Sequence, residues 1–249
     1  MSDRSHCVVD VDQPASWPVE LADLVSEMVE RVKEEGDLIE VACSDLPLGE
    51  YETDVTASLD GHLLRAYHAT RLLPHEAEAI KKGDGLRVLS NGLVAHRLDE
   101  AQENGYITYE ERDQLLAAAT LGKGRADKIC FFLPLRQASE RAYGFHTLLA
   151  TWGGEGIYWA HAGEDTDLRG RLRALGSPAI VVAQLDLTVA PMELTVYPGL
   201  AHVFTGITLG LPDVGASISY FAPVPANFIE DLIQPGHVLY PSHEDIPQF

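Results

Sequence analysis

The order of helical and strand-forming segments along the chain is the feature that most constrains its fold. Helical patterns dominate the first half, where apolar residues recur at helical spacing from Leu21 to Val32 and end at Gly36. Strand-like runs dominate the second half. A doubly wound parallel sheet would need helices and strands to alternate. We therefore predict an α+β fold with a mixed, largely antiparallel sheet and helices concentrated in the N-terminal half.

Start and stop signals locate the individual elements. Ser16 and Ser90 are typical N-cap residues, and Thr108 with Glu111 forms a capping-box pattern. Helices are predicted over residues 17–36, 74–82, 90–103, 108–119, 139–150 and 165–175. Strands are predicted over residues 38–42, 62–68, 128–134, 156–160, 179–189, 192–197, 203–209 and 217–222. A proline-started helical turn is predicted over residues 225–232.

The chain contains no linker that is long enough to divide it into separate domains. We expect residues 1–60 to form a helical extension that packs on the main domain, which covers residues 61–249. The first twelve residues have no apolar core, so they do not resemble a signal peptide. The three cysteines (Cys7, Cys43 and Cys130) are widely spaced, which favours free thiols in a reducing compartment. We therefore expect a cytoplasmic protein.

The charge balance limits the classes of partner. The 249 residues include 38 acidic and 18 basic residues, for a formal net charge of −20. A field of that sign repels phosphate backbones and anionic lipid, so we expect neither duplex nucleic acid nor a membrane as a partner. A small molecule or a basic protein is compatible with it, and the charge also serves solubility.

The segment from Trp152 to Trp159 is the first candidate for chemistry. Gly154 and Gly156 flank Glu155, and glycines allow backbone to approach a ligand closely. Tyr158 follows on a predicted strand, where its ring can face a cleft. Taken alone, the same residues also fit a glycine turn with core aromatics.

The segment from Tyr67 to Arg71 is the second candidate. It places His68, Thr70 and Arg71 at the predicted end of a strand, where they can donate hydrogen bonds to a ribose, an amide and a phosphate. The plainer interpretation is a strand end with a satisfied histidine and a solvated arginine.

Taken together, the two segments resemble the first and second motifs of the ADP-ribosyltransferase fold, in the branch with the poly(ADP-ribose) polymerases and the tRNA 2′-phosphotransferases. The resemblance covers roughly residues 62–230. His68–Ala69–Thr70 is similar to His–Gly–Ser/Thr, with alanine in place of glycine, and Gly154–Ala160 is similar to Gly–x–Gly–Ile–Tyr–Phe–Ala. The remaining similar segments are Ile80 with Gly85–Leu86, Ala179–Leu187 and Ser217–Ile229.

The resemblance implies an enzyme that uses NAD as a substrate. His68 would hydrogen-bond a ribose of NAD with help from Thr70, and the backbone at Ala69 would contact the nicotinamide amide. Tyr158 would stack on the nicotinamide ring, and Arg71, Gly154 and Gly156 would complete the site. The enzyme would break the bond between nicotinamide and ribose and transfer ADP-ribose to a protein or small-molecule acceptor, as in a bacterial toxin or a phage-defence effector.

The catalytic carboxylate is the main departure from the family pattern. The family commonly has a glutamate near the start of its closing strand, whereas residues 215–221 contain no acid. Glu155 could supply the carboxylate, or Glu230 or Asp231 could. A third alternative is a non-catalytic relative that binds a basic partner through its acidic surface.

One other function and one type of site depend on different residues. An RNA 2′-phosphotransferase would need basic groups for the phosphate, and the near candidates are Arg65, Arg71 and Arg87. The ten histidines do not show the spacing of a zinc site, so we expect no dedicated metal site.

Overall fold

The computed structural model describes residues 7–35, 46–119, 121, 124–139, 145–158, 167–189 and 195–240. The strands are β1 (Val8–Val9), β2 (Leu63–Leu72), β3 (Ile129–Leu133), β4 (Ser177–Asp186), β5 (Thr195–Tyr197), β6 (Ala216–Tyr220) and β7 (Ile229–Ile233). The α-helices among the described residues are α1 (Val19–Glu35), α2 (Glu52–Ser58), α3 (Pro74–Lys82), α4 (Asn91–Glu103), α5 (Tyr109–Ala118), α6 (Phe145–Ala150), α7 (Glu155–Tyr158), α8 (Asp167–Ala174) and α9 (Leu200–Leu209).

The seven strands form one sheet in the order β5-β6-β3-β2-β4-β7, and β1 pairs with β2 outside this path. Strands β2 and β3 are antiparallel with Tyr67 opposite Phe132, and β5 and β6 are also antiparallel. Strands β1 and β2 are parallel. The prediction of an α+β fold with a mixed, largely antiparallel sheet is therefore confirmed.

Local capping signals located several helix ends correctly. The Ser90 hydroxyl accepts a hydrogen bond from the Leu93 N–H at 3.0 Å and caps α4. At the start of α5, the Thr108 hydroxyl accepts from the Glu111 N–H, and the Glu111 carboxylate accepts from the Thr108 N–H. These signals worked because the hydrogen-bond partners lie within one helical turn. Ser16, in contrast, lies in a 3₁₀ turn (Pro14–Ser16), and α1 begins at Val19.

Two segments predicted as strands are helical. Residues 200–209 form α9, whose Leu200, Ala201, Val203, Phe204, Thr205 and Gly206 are all buried. Apolar residues occupy most sides of this helix, so its helical period is weak, and its β-branched residues favour a strand prediction. Gly156–Tyr158, predicted as the start of a strand, belongs to the four-residue helix α7. Trp159 and Ala160 lie outside the described residues.

Two other boundaries differ from the sequence prediction. Strand β2 continues to Leu72 instead of ending at His68. Residues 225–232 were predicted as a helical turn, but only Ala226–Phe228 is a 3₁₀ turn, and Ile229–Ile233 is strand β7. Both outcomes reflect sheet pairing, which a local pattern does not contain. The strand predicted over residues 38–42 lies outside the described residues.

The chain divides into two compact units, each built from three separate stretches of sequence. The first unit comprises residues 1–67, 130–137 and 183–220. In it, α1 packs against α9 through buried residues that include Leu21, Val25 and Met28. The edge of the Trp17 ring meets the Phe204 ring at 5.0 Å between centroids. This unit therefore contains a helical layer with its own core.

The second unit comprises residues 68–129, 138–182 and 221–249. Its core joins side chains of α4, α5, α7 and α8 with Trp152. The buried members are Leu73, Val94, Leu98, Ala101, Ile107, Leu115, Trp152, Ile157, Tyr158, Leu172 and Leu175. Most residues of both candidate segments belong to this unit. Among the described residues, no helix has both the length and the apolar character that crossing a bilayer requires.

Candidate functional site

The first candidate segment lies inside strand β2 and not at its end. Ala69 and Thr70 are buried, whereas His68 and Arg71 are half-buried. Because side chains alternate along a strand, His68 and Thr70 share one face of the sheet and Arg71 points to the other. The three groups that were expected to converge on one ligand are therefore divided between two faces. Tyr67 belongs to the first unit.

Arg71 donates hydrogen bonds to backbone carbonyls at the C-terminal ends of two helices. Its Nε–H donates to the Leu175 carbonyl at 2.5 Å, and Nη1 donates to the Leu149 carbonyl at 3.2 Å. These carbonyls lie at the C-terminal ends of α8 and α6, where the helix itself supplies no partner. Burial lowers the pKa of Arg71 from its ordinary value, although the neighbouring Tyr240 acts in the opposite direction. Arg71 thus links the first segment to the chain on both sides of the second.

The glycines of the second segment serve turn geometry and close packing. Gly153 and Gly154 have φ values of +104° and +62°, which favour glycine. A Cβ atom at Gly156 would lie 2.8 Å from Cγ2 of Val94 on α4. The missing side chain at Gly156 therefore lets α7 approach α4. Among the described residues, protein side chains occupy the space beside Gly156, which is therefore not open to a ligand.

Glu155 and Tyr158 have different environments although both belong to α7. The Glu155 side chain is 21% exposed, and its Oε2 lies 3.2 Å from Nε of the half-exposed Arg125. Tyr158 is 5% exposed and belongs to the hydrophobic core. Burial raises the pKa of Tyr158 well above its ordinary value, as does the Glu155 charge, and Arg125 opposes them. Of this pair, only Glu155 presents a polar group at the surface of the unit.

A buried ion pair contacts Trp152, the residue before the glycine turn at Gly153 and Gly154. This pair was not predicted from the sequence. Glu76 of α3 is 7% exposed and accepts three hydrogen bonds. Its Oε2 accepts from the Leu73 N–H at 2.7 Å and from the Trp152 Nε1–H at 2.9 Å, and its Oε1 accepts from the Arg97 Nε–H at 2.6 Å. The Arg97 guanidinium also stands 5.3 Å from the centre of the Trp152 ring. We call Glu76, Arg97 and Trp152 the buried triad.

The charge of Glu76 is compensated by its neighbours. Burial by itself raises the pKa of Glu76, but the Arg97 charge and the hydrogen bonds from Arg97, Leu73 and Trp152 outweigh it. The net effect holds the pKa below its ordinary value of 4.5. The carboxylate is therefore ionised at neutral pH and fixes the positions of α3, α4 and Trp152.

A sequence signal for the buried triad did exist. Arg97 occupies an apolar-face position of α4, since Val94, Arg97, Leu98 and Ala101 follow i, i+3, i+4, i+7 spacing. Glu76 holds the corresponding place in the run Leu73, Glu76, Ala77 and Ile80. A charged residue on the apolar face of a helix predicts a buried side chain that needs a partner, but the spacing does not identify that partner.

The alternative acids and the candidate phosphate ligands have other contacts. Glu230 and Asp231 lie on β7, where Asp231 pairs with Lys81 at 3.5 Å and with His237 at 3.2 Å. Arg65 pairs with the buried Asp10 at 2.7 Å, and Arg87 lies 4.0 Å from Asp84. The contacts of Arg65 and Arg71 occupy guanidinium groups that an RNA phosphate would require, whereas Arg87 is exposed and lies at the limit of ion-pair distance from Asp84.

Comparisons with known proteins provide no relative for this chain. No protein-family model, no curated protein and no solved structure matches it. Within the described part of the chain, no group of three or more His, Cys, Asp or Glu side chains is arranged to hold a metal ion.

Proposed function

We propose that the protein is an NAD-dependent ADP-ribosyltransferase. It would cleave the bond between nicotinamide and ribose and transfer ADP-ribose to a protein or another acceptor. One observation carries the proposal: Arg71, the last residue of the first candidate segment, donates hydrogen bonds to the carbonyls of Leu149 and Leu175, which precede and follow the second segment in the sequence. These bonds connect the first segment to the chain on both sides of the second within one unit, which supports a shared site.

Glu155 is the carboxylate that the proposal assigns to catalysis. Its side chain is partly exposed, and the ion pair with Arg125 restricts its orientation. As the glycosidic bond breaks, nicotinamide leaves with the bonding electron pair and positive charge develops on the ribose. A fixed carboxylate stabilises that charge, and it accepts the proton that the attacking acceptor releases.

The structure changes the roles proposed for the other residues. The Tyr158 ring is packed in the core, so we assign it to supporting α7 and Glu155 instead of stacking on nicotinamide. His68 and Thr70 share one face of β2 and keep their proposed role toward the ribose. Arg71 keeps the two helix ends in place.

Nicotinamide release from NAD tests the proposal directly. We expect release by the wild type and a loss of at least about 100-fold in Glu155→Gln, because a developing charge loses its partner. Glu230→Gln is a matched control that should retain activity, and His68→Ala should raise the KM for NAD. Absence of release, together with absence of an NAD-dependent rise in Tm, would refute the proposal. Release that survives Glu155→Gln and is lost in Glu230→Gln would move the carboxylate to β7.

A second candidate is a non-catalytic protein that binds a basic partner. The observation in its favour is the exposed face of α1, which carries five acids at helical spacing: Glu20, Asp23, Glu27, Glu30 and Glu34. Binding of a basic protein that weakens steeply with salt, without nicotinamide release by the wild type, would favour this candidate.

A further inference from the structure

The guanidinium group of Arg97 lies next to the turn that leads to Glu155. Its Nε–H is occupied by Glu76, and its plane is held near the Trp152 ring. Its Nη1 lies 3.9 Å from the position that a Cβ atom on Gly154 would take. Among the described residues outside that turn, no other atom lies within 4 Å of this position. Gly154 therefore leaves room beside the outer end of the guanidinium.

Arg97 also retains hydrogen-bonding capacity that the described residues do not use. Its Nη2 is buried and has no hydrogen-bond partner within the described part of the chain. A buried donor without a partner destabilises the folded state, and such groups are uncommon in folded proteins. The Arg97 side chain is 17% exposed although Nη2 itself is buried, so Nη1, which lies beside the space at Gly154, is the donor nearest to a ligand.

The surrounding charges select the kind of group that can use these donors. Arg97 is balanced by Glu76, and Arg125 is balanced by Glu155, so these four side chains carry no net charge. A phosphate at Gly154 would meet the Glu155 carboxylate on the adjacent residue without an uncompensated cation to attract it. A neutral, planar oxygen acceptor would satisfy the guanidinium without that repulsion.

We infer that Arg97 is a ligand-binding residue whose Nη1 group donates a hydrogen bond to an uncharged carbonyl oxygen of the bound molecule. Gly154 provides the space for that group, and the buried triad holds the guanidinium in place. The inference rests on the proposed function for one point, the identification of this oxygen as that of the NAD carboxamide.

The test compares NAD with an analogue whose pyridine ring lacks the carboxamide, using calorimetric titration. The wild type should bind NAD at least about 10-fold more tightly than the analogue, which corresponds to about 1.4 kcal/mol. Arg97→Lys keeps a cation for Glu76 but loses the planar fork, so NAD should bind about 10-fold more weakly while the analogue is unaffected. Arg112→Lys, on α5, is the matched control and should bind both as the wild type does.

Several results would overturn the inference. These are equal affinity of the wild type for the two ligands, unchanged NAD affinity in Arg97→Lys, or equal weakening of both ligands, which would indicate a structural role only. If Arg97→Lys does not fold, Glu76→Gln/Arg97→Met removes both charges and should show the same selective loss.

The inference and the proposed function can fail separately. Arg97-dependent binding of NAD without nicotinamide release would leave the inference standing and remove the transferase. Nicotinamide release by Arg97→Lys with the KM of the wild type would support the transferase and overturn the inference. A wild type that neither binds nor cleaves NAD would overturn both.

Discussion

The buried triad allows a quantitative prediction about the stability of the second unit. Glu76→Gln removes the carboxylate charge while preserving the shape of the side chain. The glutamine oxygen can still accept from the Leu73 N–H and the Trp152 Nε1–H, because both donate to the same oxygen of Glu76. What is lost is the charged hydrogen bond with Arg97, which is left as a buried cation without its counter-ion.

The expected cost follows from that unpaired cation. Removing one partner of a buried ion pair costs about 3–5 kcal/mol. Arg97 is 17% exposed, so water recovers part of its solvation, and we expect a loss of about 2–4 kcal/mol in the free energy of unfolding. Replacing both charges should cause a smaller loss in the free energy of unfolding, because neither charge is left unpaired. Glu76→Gln/Arg97→Met should therefore be more stable than the sum of the single changes predicts, by at least about 1 kcal/mol.

Urea unfolding followed by circular dichroism measures these differences at pH 7. A loss below about 1 kcal/mol in Glu76→Gln, or strict additivity in the double variant, would refute the buried pair. The pH dependence gives an independent check. Because the pKa of Glu76 is lowered in the folded state, its stabilisation is fully present above the ordinary value of 4.5 and is lost as pH falls through the lower folded pKa. The difference in the free energy of unfolding between wild type and Glu76→Gln should therefore decrease as the pH falls below 4.5.

Two further substitutions test the packing and the helix ends around the candidate site. Gly156→Ala places a methyl group 2.8 Å from Val94 and should cost about 1–3 kcal/mol in urea unfolding. Gly92→Ala, on α4, meets its nearest described atom only at 3.8 Å and should be neutral or stabilising by up to about 1 kcal/mol. Equal effects of the two would contradict the close approach of α7 to α4. Arg71→Met should cost about 2–4 kcal/mol, since two carbonyls lose a charged donor. The exposed control Arg87→Met should change stability by less than about 0.5 kcal/mol, and a similar loss in both would refute the capping role.

The candidate site was only partly predictable from the sequence. The glycines, Glu155 and Arg71 stood out because glycine and charged residues interrupt apolar runs. Their contacts did not, because Arg71 meets Leu175, which lies 104 residues away. The buried triad was not predicted for the same reason, because Trp152 and Glu76 are 76 residues apart in the sequence. The spacing of charges on apolar faces was visible, but their pairing was not.

The sequence by itself determined the α+β class, the caps of α4 and α5, the extent of α3 and the buried strand β3. These features depend on interactions within a few residues, such as Ser90 with Leu93 and Thr108 with Glu111. Only the tertiary structure decided that residues 200–209 are a helix, that Gly156–Tyr158 is helical and that β2 continues through Arg71. In the first two segments the local pattern permits both helix and strand, and in the third it permits the strand to end earlier. The burial of apolar surface against distant elements selects between them, and local sequence does not carry that information.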